Sequence, residues 1–192
     1  MRVEFQVFQS QLVASKLLNK EIMEVLQAVK NPQTKPDAKV KKVMIIVSKA
    51  TLENVYASFI LANGARMEGI EAELFFTFFG LEAINKKKLN DLHVATVGNP
   101  AMHIPTLLGG LPGMEAMATS MMKKEMEKLD IPPIDEFLEI LVASGVKIWA
   151  CKLAMDMFHL QKEDLIDDLE GVLTVGDFYN RAHGEGSHLM FI

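Results

Sequence analysis

KVMIIVS (42–48) is a short β-branched apolar run with a lysine at its head and a serine at its end. A run this short, followed by a helical pattern, predicts a strand buried on both faces of a parallel sheet. The helical pattern is LENVYASFILANGARMEG (52–69), apolar nearly all round, with Gly64 and Ala65 small enough for close packing. Gly69 is its stop. IEAELFFTFFG (70–80) predicts a second strand, with a short helix over 81–88. In PPIDEFLEILVASG (132–145), Ile134, Phe137, Leu138, Leu141 and Val142 recur at i, i+3, i+4, i+7 and i+8, and Gly145 ends the helix they define. VKIWAC (146–151) is a third strand, EDLIDDLE (163–170) a short acidic helix, VLTVG (172–176) a fourth strand, and DFYNRA (177–182) a last helix.

Upstream, Val3, Phe5 and Val7 alternate with Glu4 and Gln6, which permits a short strand. SKLLNKEIMEVLQAVK (15–30) then sets Leu18, Ile22, Val25, Leu26 and Val29 against a polar face, an amphipathic helix. NPQTKPDAK (31–39) reads as a linker, so residues 1–38 are an appendage to a main domain over 39–192. Within that domain the segment 89–129 is a methionine-rich loop and helix. GMEAMATSMMKKEMEKLD places Ala118, Met122, Met126 and Leu129 on one stripe, while the uncharged stretch 92–114 reads as a lid or binding loop. Strand and helix alternate throughout. The fold class is therefore α/β, a doubly wound, mainly parallel sheet, because four or five strands are too few for an eight-stranded barrel.

Composition narrows the partners. Of 192 residues, 49% are hydrophobic, ample for a core, and the net charge of −5 offers no basic face to nucleic acid. No apolar run reaches the roughly 18 residues of a membrane span. The nearest candidate, 92–114, is broken by Pro100, Pro105 and Pro112 and by Gly98, Gly109, Gly110 and Gly113. The opening MRVEFQVFQS carries no secretory leader and the chain has one cysteine, so a reducing cytoplasm is the expected compartment.

That cysteine, Cys151, stands where the third strand stops and a helix can begin. In an open parallel sheet, ligands bind outside the carboxyl ends of the strands, and a following helix and Lys152 would favour the nucleophilic thiolate. The alternative is a small hydrophobe filling a strand end. No CxxC motif and no resolving cysteine are present, which disfavours self-contained redox exchange and suits a group carrier. The methionines at 102, 114, 117, 121, 122 and 126 fit either core packing or an adaptable surface for a protein or a membrane face. HGEGSH (183–188) reads as a glycine-rich tail rather than a metal site, His159 is too loosely placed to serve as a base, and no cofactor motif follows a strand.

Several segments together resemble the DsrE/DsrF-like superfamily, in its larger DsrE-type, peroxiredoxin-like branch. KVMIIVS resembles the opening strand, and ASFILANGARMEGIEAELFFTFFGL resembles an alanine-rich helix followed by an FFTFWGL strand, with Phe79 in place of tryptophan. MATSMMKKEM resembles the variable middle, and GVKIWACKLAMDMFHLQKEDLID the cysteine segment. The match runs from about residue 40 to 176. It implies a flavodoxin-like fold, homo-oligomers, and sulfur trafficking between donor and acceptor proteins. On this resemblance Cys151 carries sulfane sulfur as a persulfide or thiosulfonate, with Met155 and Asp156 as matching neighbours. Thr77 and Gly80 match the second-strand motif. Lys152, Leu153 and Ala154 replace Thr-Met-Ser, and His159 stands where glycine is common. A non-catalytic interaction module with a structural cysteine, or a peroxiredoxin-like thiol protein, is the alternative.

Overall fold

The computed structural model describes residues 40–97, 99 and 105–192. The strand over 3–7, the helix over 15–30 and Met102 lie outside them. Five strands form one parallel sheet: β1 (Lys42–Val47), β2 (Glu71–Phe76), β3 (Lys147–Cys151), β4 (Gly171–Leu173) and β5 (Ser187–Phe191), in the order β4-β3-β2-β1-β5. One strand flanks β1 on one side and three on the other. That is the layout of a flavodoxin-like sheet, except that here the lone strand comes last in the chain.

The central strands are apolar because both of their faces are covered. Val43, Met44, Ile45 and Val47 of β1 and Leu74 and Phe76 of β2 are almost wholly buried. Helix α1 (Leu52–Met67) links β1 to β2 and turns inward Leu52, Val55, Tyr56, Phe59 and Ala62. It reads as apolar all round, yet Ile60 and Leu61 on its outer side remain exposed. The connection to β3 opens with a single helical turn, α2 (Thr106–Gly109), and a 14-residue helix, α3 (Met114–Glu127). Helix α4 (Ile134–Ala143) follows them, and its Phe137 packs edge-on against Phe59 with ring centres 5.5 Å apart. Burying Phe137, Leu138 and Leu141 contributes about 1.5–3 kcal/mol each before conformational entropy is charged. Gly145 at φ +89 then turns the chain into β3, a conformation that L side chains resist.

The chain advances from β1 to β4 in one direction, with α1 and α4 packed together, and the right-handed rule for parallel crossovers sets these helices on one face. The step from β4 back to β5 spans three strands, so its helix α6 (Val175–Ala182) crosses the opposite face. There Phe178 meets Phe75 at 4.7 Å and Arg181 lies 4.0 Å over the Trp149 ring. Beneath them Glu73, only 2% exposed, accepts from Trp149 Nε1 at 2.7 Å and from Arg181 Nε at 3.0 Å. Lys42 Nζ lies 2.7 Å from the same carboxylate. Burial pulls the Glu73 carboxyl upward. The hydrogen bonds and charges of Arg181 and Lys42 outweigh that pull and hold it below the ordinary carboxylate range.

Several elements differ from the sequence expectations. The short helix over 81–88 is two 3₁₀ segments, Phe78–Ile84 and Leu89–Asp91. The acidic helix over 163–170 is one 3₁₀ turn, Lys162–Asp164. Its continuation is pulled straight where Leu165 bridges Asn85 and Ile166 N–H donates to Ile84. The fourth strand ends at Leu173, because Thr174 caps α6 in a reciprocal bond with Asp177. Residues 187–191 of the glycine-rich tail are β5, parallel to β1. Leu129 falls past the end of α3 and is 72% exposed, so the inward stripe is Ala118, Met122 and Met126. The front of the supposed lid is core, not cover. Leu92, Val94 and Thr96 are buried, His93 O accepts the first N–H of α1, and Val94 N–H donates to Thr119.

Candidate functional site

Three strand ends make the site. Gly80 fixes the first close approach, because a Cβ there would sit 2.1 Å from the Val47 carbonyl oxygen. Its N–H donates to Ser48 O at 3.2 Å, and Thr77 N–H donates to Val47 O at 3.0 Å. The turn after β2 is thereby tied onto the end of β1. Between β1 and β5, where the strand order reverses, Ser48 donates from both N–H and Oγ to Ile192 O.

β3 ends at Cys151, which pairs with Leu173 of β4. One step past the Phe76–Ala150 pair, Thr77 and Cys151 leave the sheet side by side. Cys151 has extended backbone (φ −79, ψ 118) and is the N-cap of α5 (Lys152–Met157), but its sulfur makes no capping hydrogen bond. Side chains alternate along a strand, so Cys151 shares the face of Trp149, the face that α6 crosses. The residue is 8% exposed.

Helix α5 turns Ala154 and Met155 inward and leaves Lys152, Leu153, Asp156 and Met157 exposed. Lys152 Nζ donates to Asp156 Oδ2 at 2.6 Å, a solvent-facing i, i+4 pair worth about 0.3–0.5 kcal/mol. Both charges are thus engaged with each other. Met155 is core, and its carbonyl accepts from Leu160 N–H at 2.9 Å as the helix ends. His159 then takes φ +55, and Phe158 stacks on Phe79 at 5.5 Å. The strand register therefore sets Thr77 next to Cys151, while Gly80 ties the turn after β2 to the end of β1, Met155 is buried on α5, and Lys152 and Asp156 turn outward.

Sequence reasoning missed two features here. The Glu73–Arg181 cluster joins residues 108 positions apart, and only an acidic residue inside an apolar strand hinted at it. The Phe79–Phe158 contact joins two motifs that were each recognised separately.

The five-stranded parallel sheet is a doubly wound α/β fold with one thiol, Cys151, at the carboxyl end of β3. The chain belongs to the DsrE/DsrF/DrsH-like family, whose model matches residues 39–191. That span runs past residue 176, where the resemblance read from sequence stopped, and takes in β5. The chain is 39% identical over 138 residues to the sulfur carrier protein DsrE2 of Allochromatium vinosum, covering 68% of this chain and 86% of that one. It is 29% identical over 159 residues to the uncharacterized protein YrkE of Bacillus subtilis, covering 79% and 97%. Among solved structures, it is similar to MTH1491 from Methanobacterium thermoautotrophicum (TM-score 0.48, 12% identity, 79% of this chain and 98% of that one). The ychN protein from E. coli has the same TM-score of 0.48 at 18% identity, over 79% and 99%. Among the described residues no helix is long and apolar enough to cross a membrane.

Proposed function

We propose that this protein is a sulfur carrier in which Cys151 accepts a sulfane sulfur from a donor protein and yields it to an acceptor. The observation that carries the reading is the only cysteine of the chain standing at the carboxyl end of β3, in a chain 39% identical to a named sulfur carrier. Cys151 thiolate attacks the outer sulfur of a donor persulfide. The new S–S bond forms as the donor's S–S bond breaks, and the donor leaves as its thiolate. The exchange is redox-neutral, and the acceptor thiolate repeats it on the outer sulfur of Cys151. A donor that holds a thiosulfonate passes it by the same redox-neutral exchange, with Cys151 attacking the middle sulfur and the donor leaving as its thiolate. Thr77 borders the thiol, Gly80 holds the turn beside it, and Met155 anchors the helix that follows. The Lys152–Asp156 pair marks the surface a partner meets. The carrier works in a reducing cytoplasm as a homo-oligomer, without a bound cofactor or metal, and its methionine-rich surface is open to peripheral membrane contact.

One observation favours a second reading. At 8% exposure Cys151 is packed as a structural cysteine would be, in a module that only binds. Loading with polysulfide followed by cyanide separates the two. A carrier releases about one thiocyanate per chain, and the Cys151→Ser variant releases none. Equal release from both proteins, or none from either, defeats the carrier.

A further inference from the structure

Sulfur exchange needs a second sulfur in line with the bond being formed, and a thiol packed at the root of a helix gives no such approach. We propose that helix α5 is a latched flap over Cys151, with the Phe79–Phe158 ring pair as its latch, and that the thiol is reached only in the opened form. The purpose of the opening rests on the carrier reading. The geometry does not.

The chains after β2 and β3 part from the sheet as neighbours at Thr77 and Cys151 and are tied together again by the ring pair, at 5.5 Å and 40° between planes. Cys151 lies at the base of the arch that this contact closes. The flap is six residues long, and four of them face solvent. Its inward holds are Ala154 and Met155, and Phe158 fastens its far end. Phe79 is 61% exposed, so the latch is reached from outside. A cleft of about 270 Å³, lined by Phe79, Phe158 and Leu160 among other apolar residues and by the polar Glu82, Asn85 and Lys88, gives the rings space to slide apart.

Backbone strain lies on one side of the latch. Phe78, immediately before Phe79, takes φ +47, whereas the φ +55 of His159 belongs to an ordinary helix cap, with His159 N–H donating to Asp156 O and Leu160 N–H to Met155 O. Histidine tolerates the left-handed region better than most residues, but a bulky aromatic there is an outlier. Strain of this kind clusters at clamps and switches, where it raises the closed state towards an alternative. A minor open population then suffices, because a partner that binds only the open form draws the equilibrium towards it.

The test is the rate at which Cys151 of the full-length native protein is alkylated by iodoacetamide, measured at one pH and in low urea. No sulfur donor is used, so the latch is decided even where the carrier reading falls. The wild type should label well below the rate of the urea-unfolded chain. Phe158→Ala should label about two- to tenfold faster than wild type, the factor a ring pair contributes. Phe78→Asn, which relieves the left-handed strain in the closed form, should label more slowly. All three rates should stay flat as urea rises towards the unfolding transition, because a local opening exposes little new surface. The proposal is overturned if Phe158→Ala labels at the wild-type rate or if Phe78→Asn is no slower. It is equally overturned if the acceleration climbs with urea in step with global unfolding, or if the native wild type labels as fast as the unfolded chain.

Discussion

Replacing Glu73 with glutamine tests how α6 is held across the face that Cys151 shares. The carboxylate receives Trp149 Nε1 at 2.7 Å, Arg181 Nε at 3.0 Å and Lys42 Nζ at 2.7 Å, at a site 2% exposed. Glutamine keeps an oxygen for Trp149 but leaves two cations facing a neutral amide. Removing one partner from a buried ion pair costs about 3–5 kcal/mol. Lys42 and Arg181 retain side-chain exposures of 17% and 32%, so water recovers part of that loss. The expected destabilisation is therefore about 2–4 kcal/mol. Trp149, the only tryptophan of the chain, stands in the cluster and reports it by fluorescence during urea unfolding. The pH dependence has a definite sign. Glu73 is held below its ordinary value of 4.5 in the folded state, so its contribution is complete above that value. It is lost as pH falls through the lower folded value, where the wild type loses stability and Glu73→Gln does not lose that part. A variant within 0.5 kcal/mol of wild type, or one with an unchanged acid limb, would refute the reasoning.

Three further outcomes follow from the same geometry. Gly80→Ala drives a Cβ against the Val47 carbonyl and should cost about 1–3 kcal/mol in urea unfolding, whereas a neutral result would mean the strand ends are not so closely joined. Thr174→Ala removes the hydroxyl that accepts from Asp177 N–H and should lower stability by about 1 kcal/mol, with the loss of helicity confined to α6 by hydrogen exchange. Cys151→Ser should preserve the fold with a loss of about 1–3 kcal/mol at most, the cost of a hydroxyl at a packed position. A serine variant that fails to fold would instead mark the cysteine as structural.

The legible parts of the fold were those whose signals are local. β1 shows as a β-branched run, and α4 shows because its five apolar positions fall on one 3.6-residue stripe and Gly145 supplies its stop. Cys151 was placed at the strand–helix junction by the same kind of reading. β5 was not legible: its side chains are mostly exposed, so no apolar alternation marks it, and only hydrogen bonds to β1 make it a strand. The segment 163–170 has helical composition, but pairing with Asn85 and Ile84 straightens it after one turn. Thr174 and Asp177 are the opposite case. Their spacing is a helix-start signal present in the sequence, and it overrides the apolar run VLTVG that spans it. Residues 92–96 have a loop's composition but complete the core through Thr119 and the start of α1, contacts no local pattern contains. Around the thiol, the motif residues were visible one by one. Their mutual arrangement, with Lys152 turned to Asp156 and Phe158 to Phe79, belongs to the tertiary structure.

The most direct measurement is the intact mass of the wild type and Cys151→Ser after incubation with polysulfide and removal of excess donor. The wild type should gain about 32 mass units, one sulfur atom, and lose them on reduction. The serine variant should gain nothing. No gain on the wild type, or the same gain on both proteins, would contradict a carrier cysteine at the end of β3.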